Sequence, residues 1–254
     1  IKDYQFTLYP AGHILGSAQV LIKHNNHRLV VTGDYKVGKD ETCKNFKFIK
    51  CDTLITEATF GLPIYQHPEP KEEIKKLLNS VKKNKNKCHI VGAYALGKAQ
   101  RVMNLLRQND YNDTIYVHGS LEKICKYYKS QKINIGPFEK VSSKDKNFYL
   151  GKIIIAPPSA LKDRWSRRFN NPIICMASGW MTVKQRAKQR GVELPLVISD
   201  HSDWNELLET IKKSRARNVL VTHGQEDALV YFCKKNNLSS KPLSIQGRND
   251  EENE

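Results

Sequence analysis

Apolar residues along this chain fall in two rhythms that alternate almost to its end. Short apolar runs bounded by Gly, Asn, Asp or Pro predict strands, and longer stretches with apolar residues three and four apart predict helices. Residues 4–9 read as a first strand. SAQVLIK, then HNNH, then RLVVTGD predicts a hairpin with Asn25 and Asn26 in its turn, and DTLITEAT predicts another strand. PEPKEEIKKLLNSVKKNK opens after prolines and carries Ile74, Leu77, Leu78 and Val81 at helical spacing. Beyond it the chain alternates. Strands are expected at CHIVGAY, TIYVHG, KIIIAPP, PIICMAS, LPLVISD and NVLVTHG. Helices are expected from about Gly97, over 120–131, near 160–169, near 183–190, over 203–214 and over 225–236. This predicts an α/β architecture with parallel pairing over 88–236 and an antiparallel part before it. The end, RNDEENE, is polar and expected to fray.

Composition adds bounds. The 254 residues, 39% of them hydrophobic, suffice for the core of one large or two moderate domains. No apolar run approaches the length of a membrane span, and no signal peptide is visible, so a cytoplasmic location without membrane contact is expected. Position 1 is Ile, and IKDYQFTLYP already reads as a strand, so the chain is expected to be a fragment that begins inside an element. The net charge of +16 suits a polyanionic partner, most simply nucleic acid, and fits a solvated Lys- and Asn-rich surface equally well. The cysteines (Cys43, Cys51, Cys88, Cys125, Cys175, Cys233) form no C-x-x-C pair and are expected as buried thiols, not disulfides or zinc ligands.

Candidate chemistry gathers at strand ends. Five apolar runs finish on titratable residues: His13, Asp34, Glu57, the pair Asp200 and His201, and His223. In α/β proteins such groups collect beyond the carboxyl ends of strands, so the five are expected to converge on one rim of one sheet. Imidazole with carboxylate suits zinc, with manganese or iron as alternatives. The flanking Gly12, Gly33 and Gly224 suit tight turns. Taken singly, each of these residues is more often structural; their joint occurrence favours a site. His24 and His27 flank the predicted turn and are expected to be exposed, His67 lies among prolines in a connection, and His89 reads as a satisfied strand histidine. His118 resembles the strand-end pattern but ranks below the others.

Two basic segments carry weaker signals. GAYALGKAQR matches G-x-x-x-x-G-K at Gly92 and Gly97-Lys98, but Ala99 stands where a P-loop needs Ser or Thr, and no convincing Walker-B aspartate follows. An NTPase is therefore not expected. A milder expectation is that backbone N–H groups at this helix start, with Lys98 and Arg101, hold a phosphate. Arg164, Arg167 and Arg168 bracket Trp165 and Phe169, a mixture suited to single-stranded nucleic acid. At spacing four the preferred reading is a helix with both aromatics in the core and the arginines solvated.

AGHILGSAQ, TGDY, TEATFG, SDHSDW and VTHG, in that order, resemble the third and fourth metal motifs and motifs A, B and C of the β-CASP nucleases of the metallo-β-lactamase superfamily. PPSALKDRWSRRF, MASGWM, SDHSDW and THGQEDAL are most similar to the bacterial ligase-associated DNA exonucleases, also labelled mRNA 3′-end processing factor-like proteins. The resemblance implies an αββα sandwich with its N-terminal part missing. Its segments would be 1–61 and 195–248, interrupted by an inserted α/β β-CASP domain at 62–194 and followed by a polar tail at 249–254. It implies that His13 ligates a first zinc, that Asp34 bridges two zinc ions and serves catalysis, and that His223 ligates the second, with Mn2+ as an alternative. Glu57 would pair with His201, the general acid. Ser178 and Gly179 would meet the substrate phosphate, with Lys98, Arg101, Ser159 and Arg164 as further substrate contacts.

One departure is plain: the family's H-x-H-x-D-H motif is absent upstream of His13. Three candidate ligands cannot complete two tetrahedral sites. Truncation is the expectation, ahead of an inactive relative, because the downstream motifs are intact. The implied function is a metal-dependent DNA exonuclease tied to repair and ligation, in the company of a DNA ligase or helicase. An RNA-processing nuclease is the alternative, and a non-catalytic nucleic-acid-binding relative is the second. The inserted domain and the histidines of motifs B and C argue against a small-molecule hydrolase.

Overall fold

The computed structural model describes residues 3–143 and 145–243. The tail expected at 249–254 lies outside the described residues. β1 (Tyr4–Pro10), β2 (Ala18–His24) and β3 (His27–Val31) form the antiparallel hairpin region, with Asn25 turning the chain at φ 50°. β4 (Thr53–Ala58) precedes α1 (Pro70–Lys83), where Pro70 opens the helix, Glu72 and Glu73 sit in the first turn and Lys82 and Lys83 in the last, each favourable to the helix dipole. Next come β5 (His89–Gly92), α2 (Lys98–Arg107), β6 (Ile115–Val117), α3 (Glu122–Ser130), β7 (Phe138–Lys140) and β8 (Ile153–Ala156). The chain continues through β9 (Ile173–Ala177), α4 (Lys184–Gln189), β10 (Leu194–Leu196), α5 (Trp204–Ser214), β11 (Asn218–Gly224), α6 (Glu226–Lys235) and β12 (Ser239–Pro242).

The expected α/β architecture is present, with two differences of detail. β7 and β12 read FEK and SSKP, too short and polar to show an apolar run. The helix expected near 160–169 is replaced by two 3-10 turns, Pro158–Leu161 and Ser166–Arg168. Between them the Asp163 carboxylate accepts from the Arg164 N–H (2.6 Å) and its carbonyl from the Ser166 hydroxyl (2.8 Å). Such local bonds compete with helix formation.

The strands form two six-stranded sheets, ordered β1-β2-β3-β4-β11-β12 and β10-β9-β5-β8-β6-β7. Every pairing in the second sheet is parallel. It is buried on both faces, as a parallel sheet requires. Val91, Ile153 and Ile155 pack with Ile74, Leu77, Val102, Met103 and Tyr128 from α1–α3. Ile90 and Ile154 pack on the other side with Tyr149 and Phe169.

The first sheet is mixed. One face, with Leu21, Val30, Leu54, Val219 and Val221, packs on Leu207 and Ile211 of α5 and Leu229 and Cys233 of α6. Register places Phe6, Leu8, Val20, Ile22, Leu29, Val31, Ile55 and Leu220 on the other. None of these eight is buried, and Leu8 is 69% exposed. A continuous apolar face of this kind has the chemistry of a surface that packs against a partner layer. All six cysteines are free, and all but Cys43 are buried. No described helix is long and apolar enough to cross a membrane.

Candidate metal centre

β1, β3, β4 and β11 run in one direction, so their carboxyl ends share one edge of the first sheet. That edge carries His13, Asp34, Glu57 and His223. Asp200 and His201 come from elsewhere: they follow β10, which pairs with β9 in the parallel sheet. The expectation that all five strand ends share one rim is corrected. Four do, and the fifth is delivered from the second sheet.

The chain reaches these positions through conformations that glycine permits. Gly12 turns at φ +73°, and a Cβ there would lie 2.3 Å from the Lys36 carbonyl oxygen. This close approach sets the loop that carries His13, whose N–H donates to the Ser17 hydroxyl (3.1 Å). Gly33, at φ +57°, turns β3 out toward Asp34.

His13, Asp34 and His201 each place one ligand atom within 4.8 Å of the others. His13 Nε2 is 4.0 Å from Asp34 Oδ2, and the His13 and His201 ring centroids are 4.6 Å apart. His13 Nδ1 lies 2.9 Å from the Asp200 carbonyl oxygen. A carbonyl only accepts, so Nδ1 carries the proton and Nε2 presents a lone pair to the cluster, the arrangement a metal-ligating histidine requires. This donor set fits zinc. His223 is not in the cluster. It is exposed and sits at φ +58° beside a register shift between Thr222 and Gly224. A left-handed histidine is uncommon and marks a backbone held by its surroundings.

Glu57 stands behind His201. His201 Nδ1 is 2.9 Å from Glu57 Oε2, and the other carboxylate oxygen accepts the Tyr35 N–H at 2.7 Å. The Thr59 hydroxyl also donates to Glu57. Burial pushes the Glu57 carboxyl upward, but the His201 hydrogen bond and charge, Thr59 and the Tyr35 N–H outweigh it and hold the group below its ordinary value. Burial pushes His201 downward, and Glu57, then Asp200 and Asp34, reverse this and raise it. His201 thus binds a proton more firmly than a free imidazole.

Lys98 and Arg101, expected at a substrate phosphate, are placed otherwise. Lys98 Nζ is 2.5 Å from Asp200 Oδ1, both side chains buried, and Arg101 Nη1 is 2.9 Å from Asp40 Oδ2. The helix start is closed too. A Cβ on Gly97 would lie 2.1 Å from Ile14 Cγ2, the Gly97 N–H donates to Gln100 Oε1, and the Lys98 and Ala99 N–H groups donate to Leu96 and Tyr94 carbonyls. Both cations are thus buried and ion-paired rather than presented to solvent at an open helix start, and of their side-chain nitrogens Arg101 Nε alone is buried without a partner among the described residues.

Ser178 and Gly179 end β9 beside the centre. A Gly179 Cβ would lie 2.4 Å from Phe60 Cζ and 2.8 Å from His67 Nε2, and the Phe60 ring is 6.2 Å from that of His201. Gly179→Ala is expected to lower stability by about 1–3 kcal/mol, the usual cost of overpacking. Denaturant midpoints check this, and an unchanged midpoint would show that Phe60 yields freely. Ser159 and Arg164 are exposed on the turns after β8. Trp165 is half-buried against a buried Phe169 at 5.1 Å while Arg164, Arg167 and Arg168 are solvated, matching the preferred reading without its helix.

Of the other histidines, His27 is exposed and His24 is half-buried, stacked on Tyr4 at 4.2 Å. His89 Nε2 bonds Ser80 Oγ at 2.8 Å, and His118 packs edge-on against Trp165 at 4.8 Å, away from the donor set. His67, expected only as part of a connection among prolines, lies beside the centre. Its N–H donates to Asp203 Oδ2 (2.9 Å), and its ring stands edge-on to Phe60 at 4.7 Å. Burial, with help from Lys36, pushes its pKa down to about 3, so it is neutral. Glu206, which the sequence did not single out, accepts from Lys36 Nζ (2.6 Å) and the Gly38 N–H (2.6 Å). Nothing in the local pattern singles out either residue.

Imidazole and carboxylate groups at the carboxyl edge of a mixed sheet, completed by a loop from a parallel α/β sheet, form a donor set of the kind α/β metallo-hydrolases use. Residues 196–237 match the model of a Zn-dependent metallo-hydrolase RNA specificity domain. The chain is 27% identical over 232 residues to a probable DNA ligase of Opitutus terrae, covering 87% of this chain and 22% of that protein. It is 26% identical over 280 residues to an RNase J-like protein of Methanocaldococcus jannaschii, covering 91% of this chain and 66% of that one. In fold it is similar to an Enterococcus faecalis protein of unknown function, with a TM-score of 0.63 at 11% identity over 98% of this chain and 64% of that one. The chain spans from about a fifth to about two thirds of the length of these proteins. Together with the ordered motifs, these similarities support a β-CASP nuclease of the metallo-β-lactamase superfamily.

Proposed function

We propose that this chain carries part of the catalytic face of a zinc-dependent nuclease that hydrolyses phosphodiester bonds, with DNA as the favoured substrate and exonucleolytic action. The observation that carries the reading is the buried Glu57–His201 pair set against the His13–Asp34 donors. His13 and Asp34 would hold zinc, with His223 as a further ligand. Bound zinc supplies an acidified water and neutralises charge on the attacked phosphate. The residues do the rest. Glu57 accepts a hydrogen bond from the Nδ1–H of His201 and orients the ring, so Nε2 faces the centre. There His201, as imidazolium, donates a proton to the leaving oxygen. Ser178 and Gly179 border this point and would position the phosphate. The uncovered apolar face of the first sheet and the incomplete ligand set support a longer active form, in which further sheet and ligands complete a sandwich.

DNA is favoured because the motifs resemble ligase-associated nucleases and a relative is a probable DNA ligase. The RNase J-like relative supports RNA as the alternative. Ligands of a metal contact phosphate and water, so sugar choice falls to the groove walls. The test offers matched DNA and RNA strands, labelled at either end, to a form extended through H-x-H-x-D-H and loaded with zinc or manganese. End-wise DNA degradation is expected, with binding that weakens steeply with salt as counterions are released. Efficient RNA cleavage with DNA intact would overturn the substrate and leave the centre standing. Equal activity of the 254-residue chain would overturn the need for the extension.

A further inference from the structure

The segment that mimics a phosphate loop ties the centre together. α2 belongs to the layer on the second sheet, yet its first turn touches three loops of the centre. Gly97 packs on Ile14, the neighbour of His13, so closely that a Cβ would lie 2.1 Å from Ile14 Cγ2. Lys98 holds Asp200, the neighbour of His201, at 2.5 Å. Arg101, one turn on and on the same helix face, holds Asp40, in the loop that follows Asp34, at 2.9 Å. Asp200 works in two directions: its carboxylate faces Lys98, and its carbonyl oxygen stands 2.9 Å from His13 Nδ1. The same carboxylate oxygen is 3.9 Å from His201 Nε2. The Lys98 and Asp200 side chains are 4% and 7% exposed, so water cannot substitute for either partner.

We infer that Lys98 is a positioning residue of the metal centre: its ion pair with Asp200 fixes the carbonyl that holds His13 in the Nδ1-protonated tautomer, with Nε2 free to ligate. Without Lys98 the Asp200 carboxylate is buried and uncompensated beside His201 Nε2. It must turn toward the histidines or toward solvent, and either movement carries its carbonyl away from His13. This rests on the metal-centre reading, but its first readout needs neither metal nor substrate.

The experiment records long-range 15N–1H correlations of the histidine rings in zinc-free 254-residue chain, for wild type, Lys98→Met, Lys98→Arg and Lys98→Met/Asp200→Asn. Zinc titrations of the same proteins follow. Wild type and Lys98→Arg are expected to show His13 as a single Nδ1-protonated tautomer. Lys98→Met is expected to show mixed tautomers and about 10–100-fold weaker zinc binding, the usual loss when a ligating histidine loses its partner. The His89 ring, bonded to Ser80 far from the centre, reports folding. If Lys98→Met loses the His89 signature, the double variant, which leaves no unpaired buried charge, replaces it; it removes the ion pair that tethers the Asp200 carbonyl, so it is expected to show mixed His13 tautomers as well. A folded variant of either kind in which His13 keeps one Nδ1-protonated tautomer overturns the proposal. A tautomer change with wild-type zinc affinity overturns it as well.

Discussion

His201→Ala is expected to lower the turnover of the zinc-loaded, extended protein by about 10²–10⁴-fold while leaving its zinc content unchanged, as the loss of a general acid does. The argument begins at Glu57, which is 2% exposed and accepts from Tyr35, Thr59 and His201. A carboxylate so held cannot leave its position, and it commits Nδ1 of His201 to one hydrogen bond. Nε2 is then the nitrogen that faces His13 and Asp34, and its proton is the one available to a leaving oxygen. Glu57, Asp200 and Asp34 raise the His201 pKa above its ordinary value. The acid form therefore persists to higher pH, and the rate falls as pH rises through that raised value. Glu57→Gln removes the carboxylate charge that favours the imidazolium, so it is expected to move this falling limb to lower pH. Elemental analysis decides the role. Zinc lost from His201→Ala as fully as from His13→Ala would make His201 a ligand, a role its place in the donor cluster makes geometrically open.

Asp34→Ala is expected to have the other large effect: loss of zinc and of activity together. Asp34 and His13 are the carboxylate and the free-Nε2 imidazole of the cluster, carried by the loops that follow β3 and β1. Removing a ligand is expected to cost more than the about 10–100-fold that follows removal of a ligand's hydrogen-bond partner. His13→Ala should follow Asp34→Ala. His223→Ala should lose only part of the zinc in the extended form, because His223 stands apart from the cluster. Zinc content by elemental analysis and zinc-dependent turnover are measured on the same samples. Full zinc in Asp34→Ala would show that the cluster is not the metal centre.

Much of this site was legible in the sequence because strand ends announce themselves locally. An apolar run that stops at Gly-Asp, Thr-Glu or Thr-His needs no partner to be recognised, and the alternation of strand with helix carries the α/β class with it. The same logic failed for β7 and β12, which are held by their neighbours rather than by their own apolar content. It failed for residues 160–169, where Asp163 bonds turned a helical pattern into 3-10 turns.

What the sequence by itself determined is which side chains stand at the ends of which strands. The tertiary structure decided which of them meet. Asp200 and His201 read like another end of the same sheet, but β10 hydrogen-bonds to β9, and only the packing of the two sheets brings His201 to Glu57. Lys98 looked like a phosphate ligand because Gly-Lys at a helix start is locally the same in both settings. Its burial against Asp200, and of Gly97 against Ile14, depends on residues about a hundred positions away in either direction. Propensity and periodicity act over a few residues. Burial and ion pairing act between segments that chain order separates, so they emerge only when the chain has folded.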